Sequence, residues 1–459
     1  MRRCFPQSIR RILDELPTTL DETYERTLLE IPEEKWGHAH RLLQCLAMSS
    51  RPLRVEELAE ILSIRFESGT TLGLIMGWRP EDTEDAVLSA CSSLITIVKV
   101  KDSPVVQFSH FSVKEFLTSN RLATTQMRNL SRYHITLEPA HEILVQACLS
   151  TLLELDEHID KEGLKDYPLA FYAAEHWFEH ARFGDVSFSI QDMMGQLFDP
   201  GKPYFSAWIW LYRFTDQIVE VLAERPLEPR QSPLYYSAAC GLRSVTEQLI
   251  SLHPNDVNPQ EDLIESPLWA ATEKGYVDIA SLLLQHGANA NYACGLGQGD
   301  WTLLHLASYY GFSKMIQLLL EHGADVNPID NGESPLHLAS FEGHVSAIQL
   351  LLEYGANVNR HESRFGNTPL IHAVYNGRVE ALRLLLQHGV DVDDKDGDGK
   401  SALYWALHAG NLEMVRVLLE WGADVHASDG FNRSQDIKQL LLEYGARAEE
   451  SVPTIVSTP

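Results

Sequence analysis

Ser334-Pro335-Leu336-His337-Leu338-Ala339-Ser340-Phe341-Glu342-Gly343, followed by His344-Val345-Ser346-Ala347-Ile348-Gln349-Leu350-Leu351-Leu352-Glu353-Tyr354-Gly355-Ala356, decides the fold of this chain. Ser334-Pro335 predicts a helix start, with Ser as N-cap and Pro at the first helical position, where its missing N–H costs nothing. Leu336, Leu338 and Ala339 fall on one face, and Ala keeps that face flat enough for a neighbour to approach. Gly343 makes a turn. A second helix carries Ile348, Leu350, Leu351 and Leu352 and ends at Gly355, which can take the left-handed C′ conformation.

The same phrase starts at Ser232, Ser266, Thr302, Ser334, Thr368 and Ser401, so the steps are 34, 36, 32, 34 and 33 residues. Gly311, Gly377 and Gly410 sit where Gly343 does. A hairpin of this length cannot bury its apolar face alone, so copies must stack into a solenoid. Residues 232–445 resemble the ankyrin-repeat family, with six full repeats and a short seventh. The last copy runs only 23 residues from Gly422 to Gly445. It reads as a capping helix over Asp436–Tyr444, with Ser451–Pro459 as a frayed tail. The insertion Gly295-Leu296-Gly297-Gln298-Gly299 lengthens one loop. The resemblance implies that His337 bridges the capping hydroxyl and neighbouring backbone. It also implies binding of protein partners through the concave first-helix face and loop tips.

Repeated Leu and Ala positions serve stacking, so recognition must use positions that stacking leaves open. On that face stand Trp301, Tyr309, Tyr310, Phe341, Glu342, Phe365, Tyr375 and His408, with Glu333 and Asn376 beside them. Aromatic rings at nominally exposed positions, rimmed by carboxylates, are what a protein-binding hot spot uses. The bland alternative is that some rings pack between neighbouring hairpins.

The first half reads differently. Ile9, Ile12, Leu13, Leu16 and Leu20 follow helical spacing. Helices are expected near Trp36–Ala47, Val55–Leu62 and Glu84–Ser93, then two short strands, Leu94–Val98 and Val105–Ser109. That order is a winged helix. Ser8-Ile9-Arg10-Arg11-Ile12-Leu13-Asp14-Glu15-Leu16-Pro17, Leu20-Asp21-Glu22-Thr23-Tyr24-Glu25-Arg26 and Phe108-Ser109-His110-Phe111-Ser112-Val113-Lys114-Glu115-Phe116-Leu117 resemble the segment after the NACHT domain of fungal NACHT–ankyrin proteins. They are similar to the winged helix named after GPI inositol-deacylase. That resemblance implies a sensor or regulatory half of a signalling protein, served by a NACHT domain in cis or in trans. From Tyr133 to Leu222 the pattern is helical, with Trp177, Phe178, Trp208, Trp210 and Tyr212 as core anchors. The expected organisation is mainly α: a helical segment (1–32), a winged-helix domain (33–125), a helical linker domain (126–230), an ankyrin-repeat solenoid (231–450) and a disordered tail (451–459).

Composition narrows the partners. The 459 residues carry a net charge of −27, and residues 231–459 hold 13 Lys and Arg against 29 Asp and Glu, a net of −16. Such a field repels phosphate, and the recognition-helix candidate has Glu84 and Asp85 but no Lys or Arg, so neither nucleic acid nor an anionic membrane is expected as partner. No apolar run approaches a membrane span, and the start lacks a signal-peptide core. The six cysteines are widely spaced without a CxxC pair, which reads as reduced, buried thiols of an intracellular protein, cytoplasmic with the nucleus left open.

Catalytic and cofactor motifs fail on spacing. Gly399-Lys400-Ser401 ends like a phosphate loop, but the required first Gly falls on Asp394. Asp394-x-Asp396-x-Asp398-Gly399 begins like a calcium loop, but Trp405 stands where its bidentate Glu belongs. His176-x-x-Glu179-His180 has the outline of a zinc motif, so a zinc hydrolase is the remote alternative. The resemblance makes that stretch structural instead. No catalytic, cofactor or metal residue is therefore expected.

Overall fold

A computed structural model describes residues 19–64, 82–91, 93–100, 103–156, 159–160, 162–183, 190–216, 231–259, 265–294, 301–328, 332–426 and 434–445. The helix expected over residues 9–16, the 295–299 insertion and the 451–459 tail lie outside them. The chain divides into two compact units, Met1–Pro233 and Leu234–Pro459.

In the first unit, helices Trp36–Met48, Val55–Ser63 and Thr83–Cys91 pack on one another ahead of the antiparallel strands Ile95–Val100 and Ser103–Phe108. Arg54 adds a single bridge to Val105, a third-strand remnant that the sequence reading missed. Val55–Ser63 is buried at every position but Glu56, because its apolar residues meet both neighbouring helices and the hairpin. Its Glu57 carboxylate is fully buried, accepts from Arg51 Nη1 (2.9 Å) and Nη2 (2.8 Å), and accepts from Arg54 N at 2.7 Å. Burial would push this carboxyl's pKa up, but the Arg51 and Arg54 bonds and charges win and hold it below the usual range.

The rest of this unit is an aromatic helical cluster. Leu137–Leu152 packs on Ala170–Ala181, and Ala170–Ala181 packs on Pro203–Asp216. Trp177 and Trp208 are fully buried and meet edge to face at 5.5 Å. Trp208 Nε1 donates to Ala174 O at 3.1 Å, so the indole enters the core with its polar atom satisfied. Trp177, Trp208 and Trp210 are core as their pattern predicts, whereas Phe178 and Tyr212 are only half-buried.

Among the described residues the second unit is a stack of six helix pairs, the first being Pro233–Ala239 and Arg243–Leu252, and a final single helix, Gln435–Glu443. First helices Pro267–Glu273, Leu303–Tyr310, Pro335–Glu342, Pro369–Tyr375 and Ala402–His408 form one layer, each packed on the next. Second helices Val277–Gln285, Ser313–Glu321, Val345–Glu353, Val379–Gln387 and Leu412–Glu420 form the other. Within the fourth pair, Leu336, Leu338, Ala339, Ile348 and Leu351 are buried. Fully burying one such Leu contributes about 1.5–3 kcal/mol. Gly355 has φ +88°, and Ala356 N donates to Leu351 O at 2.9 Å, closing the second helix in the left-handed cap that the sequence predicts.

His337 links repeats. Ser334 N and Ser334 Oγ meet its Nδ1 at 3.1 and 2.7 Å, and its Nε2 donates to Asn367 O of the next repeat at 3.0 Å. Burial, then the neighbouring His372, hold its pKa down to about 3, so the ring stays neutral. A second set of bonds joins the loop tips. Asn258, Asn291 and Asn327 each donate Nδ2 to the carbonyl of Gly287, Gly323 and Gly355, at 2.9, 3.0 and 2.9 Å. Each also accepts on Oδ1 from the backbone N of Asn289, Asp325 or Asn357.

Candidate functional site

The first-helix side of the repeats carries a cleft of about 690 Å³ spanning three successive repeats. Phe341 enters from the end of Pro335–Glu342, Tyr375 from the end of Pro369–Tyr375, Trp405 from Ala402–His408 and Phe365 from a loop tip. Tyr375 is 65% exposed, Phe365 59% and Phe341 36%, so these rings are not core. Tyr375 meets Trp405 edge to face at 5.4 Å, and Phe341 meets His372 at 5.8 Å.

Two buried carboxylates shape the cleft's walls by folding loops. Glu362 accepts from the backbone N of Arg364 (2.5 Å) and Phe365 (2.6 Å), which presents the Phe365 ring. Asp396 Oδ1 accepts from Asp398 N (3.0 Å) and Lys400 N (2.8 Å), and its Oδ2 accepts from Trp405 Nε1 at 2.8 Å. The two loops meet through backbone, Gly397 N donating to Phe365 O at 2.7 Å, and through the side chains of His361 and Asp394, 2.9 Å apart. A Cβ on Gly366 would lie 2.7 Å from Gly397 N, and Gly366 has φ +68°, so both space and conformation require glycine there.

A third carboxylate is left open. Glu333 lies 3.7 Å from His372 Nε2 and makes no hydrogen bond among the described residues. Burial and then the charge of Glu362 push its pKa up, against the opposing pull of Arg364. His372 is itself buried, its pKa lowered to about 4 by desolvation, and its Nδ1 has no hydrogen-bond partner.

The sequence candidates divide. Phe341, Phe365 and Tyr375 line this cleft together. Trp301, Tyr309 and Tyr310 form a separate ladder one repeat earlier, with ring centres 5.7 and 5.2 Å apart, continued by Phe312 stacked on Tyr310 at 5.4 Å. Glu342 is paired with Arg378 at 3.7 Å. His408 is exposed, stacked over Tyr404 at 6.5 Å and 5.9 Å from Trp405. Sequence reasoning missed His372 and Trp405. The signal was there: four residues after the capping Ser or Thr, other copies place Leu306 and Leu338, whereas these two place a histidine and an indole.

The tempting motifs have structural partners. Ser401 caps Ala402–His408 by accepting from Tyr404 N at 3.4 Å, and Lys400 pairs with Asp398 at 3.4 Å. All of the hydrogen bonds Asp396 makes point into its own loop and Trp405, not toward an ion site. In the first unit, His180 Nε2 meets Tyr172 Oη and its Nδ1 meets His141 Nδ1, both at 2.9 Å. His176 turns instead toward Glu179, at 3.2 Å. Among the described residues no group of three His, Cys, Asp or Glu is arranged to hold a metal. No helix among them is long and apolar enough to cross a membrane. Cys45, Cys91, Cys148, Cys240 and Cys294 are buried and form no disulfide among the described residues.

Comparison with known families agrees with this architecture. Residues 290–362 and 359–429 match the model of ankyrin repeats (3 copies), residues 265–294 match the single ankyrin repeat, and residues 24–127 match the GPI inositol-deacylase winged helix domain. The chain thus carries ankyrin repeats and a winged-helix domain of that type, and the repeats point to a protein–protein interaction module. Among curated proteins it is similar to azaphilone pigments biosynthesis cluster protein L of Monascus ruber. The two are 32% identical over 296 residues, which cover 60% of this chain and 61% of that protein. Among solved structures it is similar to the ankyrin repeat domain of Bcl-3, at 28% identity and TM-score 0.41, covering 47% of this chain and 100% of that one. The human ASB11 ankyrin repeat domain is similar at 26% identity and TM-score 0.41, covering 48% of this chain and 100% of that one.

Proposed function

We propose that this chain captures a protein partner on the first-helix face of its repeats, with the Phe341, Phe365, Tyr375 and Trp405 cleft as the main contact and the Trp301, Tyr309 and Tyr310 ladder as a second. The observation that carries this is the set of half-exposed rings drawn from three repeats, which stacking does not require. Clustered aromatic anchors that exclude water supply most of the energy of such interfaces. The mechanism is recognition by a largely preformed surface, and no chemical step is involved.

The wider reading is that this module is the sensor or regulatory part of a NACHT-type signalling protein. It is supported by the winged-helix domain ahead of the repeats and by the Ser8–Pro17 and Phe108–Leu117 wording. The P-loop motor would then be supplied in cis or in trans, and coding sequence upstream of Met1 containing Gly-x4-Gly-Lys-Ser/Thr would support it. The relative's name ties that protein to a pigment biosynthesis cluster, so proteins encoded beside this gene are the first partners to test.

The test is a two-hybrid or pull-down screen of those neighbours with the full chain and with Phe341→Ala plus Tyr375→Ala. Loss of a specific partner at unchanged melting temperature is the expected result. Equal capture by both forms would remove the cleft from the interface.

A further inference from the structure

The cleft has a chemical preference that can be read from what its polar groups still lack. Glu362 and Asp396 are committed to their own loops, four and three hydrogen bonds deep, and offer nothing outward. Glu333 makes no hydrogen bond among the described residues, and its neighbour His372 Nε2, at 3.7 Å, is too far for one. A half-exposed carboxylate with its acceptor sites open asks for N–H donors from a ligand. Around them stand the faces and edges of Phe341, Tyr375 and Trp405, which attract a cation through their ring quadrupoles.

We propose that this cleft takes an arginine side chain from a basic peptide segment of the protein partner, its guanidinium paired with Glu333 and its plane against Tyr375 and Trp405. A guanidinium fits because it is planar, weakly hydrated and carries five donors in a fixed fork, whereas an ammonium offers three on a point charge. Charge complementarity favours the same occupant: residues 231–459 are net −16, and the cleft lining holds Glu333, Glu362, Asp396 and Asp398 against Arg364 alone. The chain already shows the interaction in itself. Arg364 Cζ lies 4.9 Å from the Phe365 ring centre, and Lys400 Nζ lies 5.2 Å from that of Trp405, both at the rim.

This assignment rests on the cleft being the partner-binding face, and its test separates the two ideas. Fluorescein-labelled Gly-Ser-Ala-Arg-Ala-Ser-Gly is titrated with the full chain by anisotropy, beside copies with citrulline, lysine or glutamate in place of arginine. The arginine peptide should bind at least tenfold more tightly than the citrulline and glutamate peptides and more tightly than the lysine peptide. Glu333→Gln should remove that preference, Tyr375→Ala should weaken binding, and Tyr309→Ala, outside the cleft, should change nothing. Circular dichroism melts confirm that each variant folds. Arginine and citrulline peptides binding alike, no saturation below millimolar chain, or a preference that survives Glu333→Gln would each overturn the proposal. Capture of a protein partner that needs Phe341 and Tyr375 but ignores these peptides would sink the arginine assignment and leave the interaction surface standing.

Discussion

Trp405 Nε1 donates to Asp396 Oδ2 at 2.8 Å, and this bond ties a ring of the cleft to the carboxylate that folds the neighbouring loop. Asp396 is only 8% exposed and satisfies two backbone N–H groups with its other oxygen. Replacing it by Ala leaves three donors without an acceptor. Asp396→Ala is expected to lower stability of the repeat unit by about 2–4 kcal/mol, since bonds to a charged acceptor contribute about 1.5–3 kcal/mol each and partly re-form with water. Urea denaturation measures this. Because all of its bonds serve the loop, millimolar calcium or EDTA should leave the wild-type midpoint unmoved; a calcium-dependent rise would restore an ion-site reading.

Beyond Asn327 the ladder keeps only its acceptor half. Asn359 accepts from Asp391 N at 3.0 Å without a bond to a glycine carbonyl among the described residues, and Asp393 accepts from Asp424 N at 2.8 Å but, as a carboxylate, cannot donate to the Gly422 carbonyl. Asp393→Asn should add that donor and remove one charge from an acidic loop. The expected gain is about 0.5–1.5 kcal/mol, read as a raised thermal midpoint of the repeat unit. A lowered midpoint would show that the last loop does not follow the geometry of Asn258, Asn291 and Asn327.

Three neutral buried histidines make stability depend on pH with a defined sign. His180 and His337 have pKa values lowered to about 3 and His372 to about 4, chiefly by desolvation. Below about pH 6.5 the unfolded chain binds protons at these rings and the folded chain does not. Their contribution is therefore whole above that pH and is lost as pH falls towards 4 and 3, at up to about 1.4 kcal/mol per pH unit for each ring. Urea midpoints at pH 7.5, 6 and 5 should fall in that order. His337→Gln should flatten the repeat unit's profile; an unchanged slope would count against a neutral ring at that position.

Core and cleft aromatics should respond in opposite ways. Trp208→Ala removes a fully buried ring and one hydrogen bond, so a loss of about 3–5 kcal/mol is expected for the first unit. Phe365→Ala removes a ring that is 59% exposed and should cost the repeat unit less than about 1 kcal/mol. Matched losses would mean that Phe365 packs between hairpins after all.

Most helices were legible because repeat phase states them several times over. Gly355 and the Ser334 cap follow from residue chemistry alone, and the structure bears both out. The winged-helix outline was legible too, except for the Arg54 bridge, which is one residue long and has no period to detect. The cleft was half legible. Phe341 and Tyr375 could be placed by helix position, but their union with Trp405 depends on how far the 365–366 and 396–398 loops reach. That reach is set by Glu362 and Asp396 binding backbone within their own turns. Such bonds leave no periodic mark, and Asp396 in the sequence looks like any other member of an acidic run. His372 was missed because Thr368-Pro369-Leu370-Ile371-His372 shifts the histidine by one place, turning a capping residue into a cleft residue.

The backbone contact between Gly397 and Phe365 also has a mechanical meaning. Two main chains abut there with no side chain between them to compress, and the His361–Asp394 pair ties the same two loops, so this joint of the array is braced against closer approach and against separation. An occupant gripped by rings on either side of the cleft would meet a frame already held in place, and would spend little of its binding energy on ordering it.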